Sequence, residues 1–303
     1  LVKSFYGLTY TPQRAQHPEC GVSIGDVIED LKVLSQLTTR LRLYGMDCNQ
    51  ANLLQDAIAQ LNIDMSLVLT VWVDDNERTY ARQLDALWDT LDRYQGEHVI
   101  GISVGNEALF RRDVTAAELA QRMRDVRVEL KKRRINIPVY TTDLAENFDT
   151  TIMQASDAAL GNIHPYFAKV SAADAAQWTW DYYRKTIAAS GKTAIISETG
   201  WPTQGDSNGS AVPSTANLQA YLDSFLCQTI AKKIPCYFFE AFDAAWKAAD
   251  KPVERSWGIL TKDRRLKVRI PRCEGAAVHT STPASAASTG NARTTRPAQV
   301  ATS

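Results

Sequence analysis

No stretch of this 303-residue chain is apolar over the roughly 20 residues that a helix needs to cross a bilayer. The longest candidates, such as MSLVLTVWV (65–73), have the length of buried strands. Net charge is also missing: 34 basic and 34 acidic side chains cancel. That excludes the basic excess of a general nucleic-acid binder and leaves a neutral polymer open as a ligand. Histidines are few (His17, His98, His164 and His279), and none is paired at metal-ligand spacing. Cys20, Cys48, Cys227, Cys236 and Cys273 form no CxxC pair. No Gly-rich phosphate loop follows the first strand-like run. Neither a metal nor a cofactor is expected.

Hydrophobic residues make up 45% of the chain, enough for a sizeable core. The composition changes near Gly275. Residues 276–303 hold ten Ser/Thr and eight Ala with no periodic apolar face, so 275–303 reads as a disordered tail and 1–274 as one domain. Within that domain, runs rich in β-branched and aromatic residues lie at 3–10, 38–45, 65–73, 99–107, 138–145, 160–167, 193–202 and 236–243. Between them come helical patterns, clearest at 24–37, 79–94 and 116–133, with apolar residues every three or four positions. Eight β-then-α units in this length predict an α/β fold of the (β/α)8 TIM barrel type, with a doubly wound open sheet as runner-up. The segment after the eighth strand is the least regular, so the eighth helix is the weakest element of the pattern.

In such a barrel the chemistry sits at the C-terminal ends of the strands. There the fourth run ends in Asn106 and Glu107, and the seventh carries Glu198. The fifth carries Asp143, and the eighth Glu240 and Asp243. Tyr10, Tyr44, Trp72 and Tyr166 add aromatics. One strand-end Glu has a plain explanation as a cap or a salt bridge. Two of them, on strands four and seven, can face each other across the barrel mouth. Glycoside cleavage needs two such carboxyls, one protonated and one ionised. Asn106 supplies an amide for a sugar hydroxyl. His164, ahead of Pro165 and Tyr166, is expected to brace its strand.

The motifs VGNE (104–107) and ETGWP (198–202) resemble the acid/base and nucleophile motifs of glycoside hydrolase family 17, the β-1,3-glucanase and glucanosyltransferase family. RLYG (42–45), FEAFD (239–243) and SWGIL (256–260) resemble its second strand, eighth strand and closing segment. The resemblance covers about residues 3–274. It implies a TIM barrel with retaining chemistry, Glu107 as general acid/base and Glu198 as nucleophile. It also implies that Tyr44, Asn106, Tyr166, Glu240, Lys247 and Glu254 shape the donor side of the cleft. Asp143 and Asp243 join the expected substrate contacts, and Asp47, just after the second strand, is expected to bind a sugar hydroxyl. Trp178, Trp180, Trp201 and Trp246 are candidates for stacking on sugar faces. Trp246 and Trp201 are taken as cleft residues; Trp178 and Trp180, near the start of the sixth helix, compete with a packing role. YGMDCNQ and HPYF look closer to fungal cell-wall members. The reading is a retaining β-1,3-glucanosyltransferase, with a β-1,3-glucan endohydrolase as the alternative. The expected partners are β-1,3-glucan oligosaccharides and polysaccharide, and the chain is expected to be a secreted monomer, extracellular or in the cell wall. Adjacent βα loops bring Cys20 to Cys48. Cys273 is expected to meet Cys227 or Cys236, leaving the third thiol free. The sequon at Asn208 suits the same compartment.

Overall fold

Each strand pairs in parallel with the next, and the last returns to the first, closing an eight-stranded barrel. The computed structural model describes residues 2–273. The strands are β1 (Gly7–Thr9), β2 (Arg40–Arg42), β3 (Ser66–Val71), β4 (Val99–Asn106), β5 (Val139–Asp143), β6 (Ala159–Asn162), β7 (Ala194–Thr199) and β8 (Cys236–Phe238). They are shorter than the apolar runs that encode them, because ladder pairing stops where the chain turns into the loops over the barrel mouth. The TIM barrel, not the open sheet, is therefore the architecture.

The helices are α1 (Ile24–Leu34), α2 (Gln50–Leu61), α3 (Glu77–Tyr94), α4 (Ala116–Lys132), α5 (Thr150–Ala155), α6 (Ala175–Lys185) and α7 (Thr215–Ala231). Their starts follow from capping chemistry. Ser23 with Asp26, and Thr115 with Glu118, form reciprocal capping boxes that satisfy otherwise orphaned amides. Among the described residues no α-helix follows β8. Residues 239–273 are instead irregular, folded back on themselves through the Phe242–Leu260 bridge and joined to β1 by the Ala241 amide, which donates to the Thr9 carbonyl at 2.9 Å. The expected tail over 275–303 falls outside the described residues.

Two apolar layers make the core. Leu31, Leu54, Leu87, Leu119 and Phe225 pack the helices against the outside of the strands. A smaller cluster, Val68, Tyr140, Leu160 and Tyr237, is separate from it. Tyr140 shares its strand face with Thr142, and Thr142 meets Arg42 across the barrel, so this cluster fills the interior. Disulfides Cys20–Cys48 and Cys227–Cys273 tie the first two βα loops together and anchor the closing segment to α7. Cys236 is free and buried. Cys20–Cys48 is the pairing expected from loop adjacency, and of the two partners left open for Cys273 the bridge goes to Cys227.

Candidate active site

Backbone geometry at the end of β4 aims the first carboxylate. Gly105 has φ 81° and Glu107 φ 54°. Glycine adopts the left-handed region freely, whereas glutamate does so at a cost that its surroundings must offset. The Glu107 amide donates to the Thr142 carbonyl at 2.8 Å, and Arg111 donates to the Asn106 carbonyl at 2.7 Å. The resulting bend turns Glu107 into a cavity of about 760 Å³ at the barrel mouth. On β7, Gly200 follows Glu198 by two positions. It lies so close to the Phe239 carbonyl that a Cβ has no room, which locks the end of β7 to β8.

Arg42 crosses the interior from β2 with no exposed surface. It donates to Glu198 Oε1 at 2.8 Å, to Asn106 Oδ1 at 2.7 Å and to Thr142 Oγ1 at 2.8 Å. Its guanidinium also lies 4.7 Å from the Tyr44 ring centroid. The other oxygen of Glu198, Oε2, is 3.1 Å from His164 Nε2. The His164 ring sits edge-on to Trp257 and Phe239, at 5.1 and 5.5 Å between centroids. Asn162 donates to Glu107 Oε1 at 2.7 Å and accepts from Ser197 Oγ at 2.7 Å, joining the two carboxylate-bearing strands through β6.

These partners separate the two acids. Burial alone would raise the Glu198 pKa; the His164 hydrogen bond and the Arg42 charge outweigh it and bring it to about 2. Glu107 goes the other way. Burial and then the charge of Glu198 raise it, against the opposing effect of the Asn162 hydrogen bond. At neutral pH the cavity thus holds one firmly ionised carboxylate beside one that retains its proton more readily. A third acid, Glu240, is pushed up to about 8 by burial, which the neighbouring Lys247 only partly counters. Lys247 Nζ is 3.6 Å from Glu254 and 4.0 Å from Glu240 Oε1, which has no hydrogen-bond partner among the described residues. We therefore assign the lysine's ion pair to Glu254 and read Glu240 as a neutral acid at pH 7.

Tyr44, Asn106, Glu107, Glu198, Glu240, Trp246, Lys247 and Glu254 line the cavity. Five expected contacts do not. Asp47 is held by Arg82 at 2.7 Å and Gln83 at 2.6 Å, which braces the second βα loop. Asp143 accepts from the amides of Leu109 and Leu144 and from Asn147, so it caps loops rather than facing ligand. Asp243 accepts from Lys267 at 2.6 Å and from the Gly258 amide. The Tyr166 hydroxyl donates to the Asp206 carbonyl, and its ring supports Trp257 edge-on. Trp201 is wholly buried, with its indole N–H donating to the Val212 carbonyl. Conversely, Trp178 lines the cavity, and His164 contacts Glu198 rather than merely bracing its strand. Arg42, Asn162 and Trp257 escaped the sequence reading. The RLR of β2 was the available signal: an arginine on an inward-facing position of a short barrel strand needs an anionic partner inside.

Among the described residues, no cluster of three or more His, Cys, Asp or Glu could hold a metal ion. No helix there is long and apolar enough to cross a membrane.

A family profile, the BtgE/BtgC glycoside hydrolase domain, matches residues 7–258. A glucan endo-1,3-β-glucosidase, btgC, of Emericella nidulans is 37% identical over 305 residues, covering 91% of this chain and 47% of that protein. The chain thus spans about half the length of the curated relatives it matches. The crystal structure of a glycoside hydrolase family 17 β-1,3-glucanosyltransferase from Rhizomucor miehei superposes with a TM-score of 0.79 at 30% identity. The match covers 89% of this chain and 98% of that one. An active-site mutant of the Rhizomucor enzyme in complex with laminaritriose superposes with a TM-score of 0.80, also at 30% identity, with the same coverage of both chains. With the motifs, the barrel and the cavity in agreement, the chain belongs to the BtgE/BtgC glycoside hydrolases, a family 17-like group of fungal glucanases and glucanosyltransferases.

Proposed function

We propose that this domain cleaves internal bonds of β-1,3-glucan with retention of configuration, with Glu198 as nucleophile and Glu107 as general acid/base. The observation that carries the reading is the opposed proton affinity of two carboxyls in one cavity: Glu198 at about 2 and Glu107 raised. In the first step Glu198 attacks the anomeric carbon while Glu107 protonates the departing oxygen. The bond to the leaving chain breaks and a glycosyl ester forms. Glu198 is then uncharged, so its repulsion no longer raises Glu107. Glu107 can take a proton from water, whose oxygen attacks the anomeric carbon and regenerates Glu198. Arg42 and His164 hold the nucleophile's two oxygens. Glu240, Lys247, Glu254 and the Trp257 indole N–H, which has no partner among the described residues, offer polar atoms for the hydroxyls of the sugar being attacked.

Hydrolysis takes precedence over the transferase reading because the curated relatives are named as endo-1,3-β-glucosidases. Transfer to a second glucan chain remains the other reading. It is favoured by likeness to the Rhizomucor glucanosyltransferase and by the aromatic lining of the cavity. The two differ only in what resolves the glycosyl ester. Incubation with laminari-oligosaccharides separates them: shorter products alone mean hydrolysis, and products longer than the substrate mean transfer. Absence of any cleavage would contradict both. The two disulfides suit an oxidising compartment, so we assign the domain to the secretory route, acting outside the cell or in the wall.

A further inference from the structure

Helix α6 carries aromatics on two faces. Trp180 is buried and stacks on Phe225 of α7, with centroids 4.5 Å apart and planes at 17°. Trp178 lies two positions earlier, about 200° away around the helix, and so points to the other side. Tyr182, four positions after Trp178, shares that face. The rings of Trp178 and Tyr182 stack at 5.2 Å and 22°, both are half-buried, and both line the cavity that holds Glu107 and Glu198. The Glu146 carboxylate, from the loop after β5, stands against the Tyr182 hydroxyl and lines the same cavity.

This group lies over β5 and β6, on the short arc of the barrel between Glu107 on β4 and Glu198 on β7. The polar cluster Glu240, Lys247 and Glu254 comes from the far side of β7, after β8. If the polar cluster grips the sugar under attack, the chain on the other side of the scissile bond must leave across β5 and β6. A β-glucose ring has equatorial substituents and exposes two flat faces of C–H bonds. A flat, apolar aromatic surface complements such a face, and an adjacent carboxylate accepts from its rim hydroxyls.

Resting on the retaining glucanase reading, we propose that Trp178, Tyr182 and Glu146 form a binding subsite for the leaving-side portion of a β-glucan chain, beyond the sugars that contact the two carboxyls. The subsite serves water and sugar acceptors alike, because it holds the departing chain and, in transfer, the incoming one.

The test uses reducing-end-labelled laminari-hexaose with the active protein, and calorimetric binding of laminari-triose to -hexaose by the Glu198→Gln variant. Trp178→Ala should shorten the labelled fragments released. In the Glu198→Gln background it should weaken hexaose binding about tenfold while changing triose binding less than twofold. Trp178→Phe, which keeps a ring, should fall between. Unchanged fragment lengths with unchanged hexaose affinity, or equal losses at every chain length, would overturn the subsite while leaving the glucanase reading intact. Failure of the unsubstituted protein to cleave, and of Glu198→Gln to bind any laminari-oligosaccharide, would overturn both.

Discussion

The guanidinium of Arg42 meets Glu198 Oε1 at 2.8 Å, from a side chain without exposed surface. A buried ion pair is a weak source of net stability, since desolvation opposes the Coulomb gain. On the proposed mechanism its value is in holding the Glu198 carboxylate ionised and oriented toward the carbon it attacks. Arg42→Lys keeps a charge but cannot reach Glu198, Asn106 and Thr142 together. The variant should lose roughly 10²-fold or more in kcat, on the scale of removing one preorganised polar contact. Arg42→Ala removes the charge that lowers Glu198, so the acid limb of kcat/KM should move to higher pH. A pH–rate profile with an unmoved acid limb would contradict this role.

The two carboxyls should respond differently to azide. Glu107→Ala should keep activity on an activated aryl glucoside, whose leaving group needs no proton. Azide should then speed turnover and give a β-azide. Glu198→Ala cannot form the ester, and azide entering from the opposite face should give an α-azide. A β-azide from the Glu198 variant with an α-azide from the Glu107 variant would reverse the roles.

Glu240 gives stability a measurable pH dependence. Its pKa rises from an ordinary 4.5 to about 8 on folding. The folded state therefore holds a proton that the unfolded chain releases, and stability falls as pH climbs from 4.5 through 8. The full loss is on the order of 5 kcal/mol from this group. Glu198 acts in the opposite sense, but only as pH falls below 4.5 toward about 2, so it leaves the 5–8 window unaffected. Urea unfolding at pH 5 and pH 8 should show a falling midpoint in the natural sequence. Glu240→Gln should show a smaller fall. An equal fall in both would remove Glu240 as the source.

Denatured but unreduced, residues 2–273 should expose one titratable thiol, that of Cys236. Reduction should destabilise the fold by about 3.6 kcal/mol for the 28-residue separation and about 4 kcal/mol for the 46-residue one, by the chain-entropy argument. Five free thiols before reduction would refute both bridges.

Eight alternating runs made the barrel readable, because strand and helix periods differ and each element buries one kind of face. Glu107 and Glu198 were readable because an acid ending an apolar run has few places to go. Asp143 and Asp243 carry the same sequence signal yet turn to backbone amides and Lys267. Whether a strand-end carboxylate meets a cavity or a loop amide depends on loop paths that local pattern does not encode. Trp201 and Trp178, both stacking candidates, part for a similar reason: one is sealed beneath the seventh βα loop, while the other stands on the open face of α6. Arg42, Asn162 and His164 meet partners 34 to 156 positions away, beyond the reach of any window.

The most direct measurement is to trap the glycosyl ester. A 2-deoxy-2-fluoro laminaribiosyl donor with a good leaving group slows the second step, and peptic digestion followed by mass spectrometry locates the added mass. A glycosyl adduct on the peptide containing Glu198, lost in Glu198→Gln, is the result the account predicts. Aryl release with no adduct, an adduct on Glu107, or a first-formed product of α configuration would contradict it.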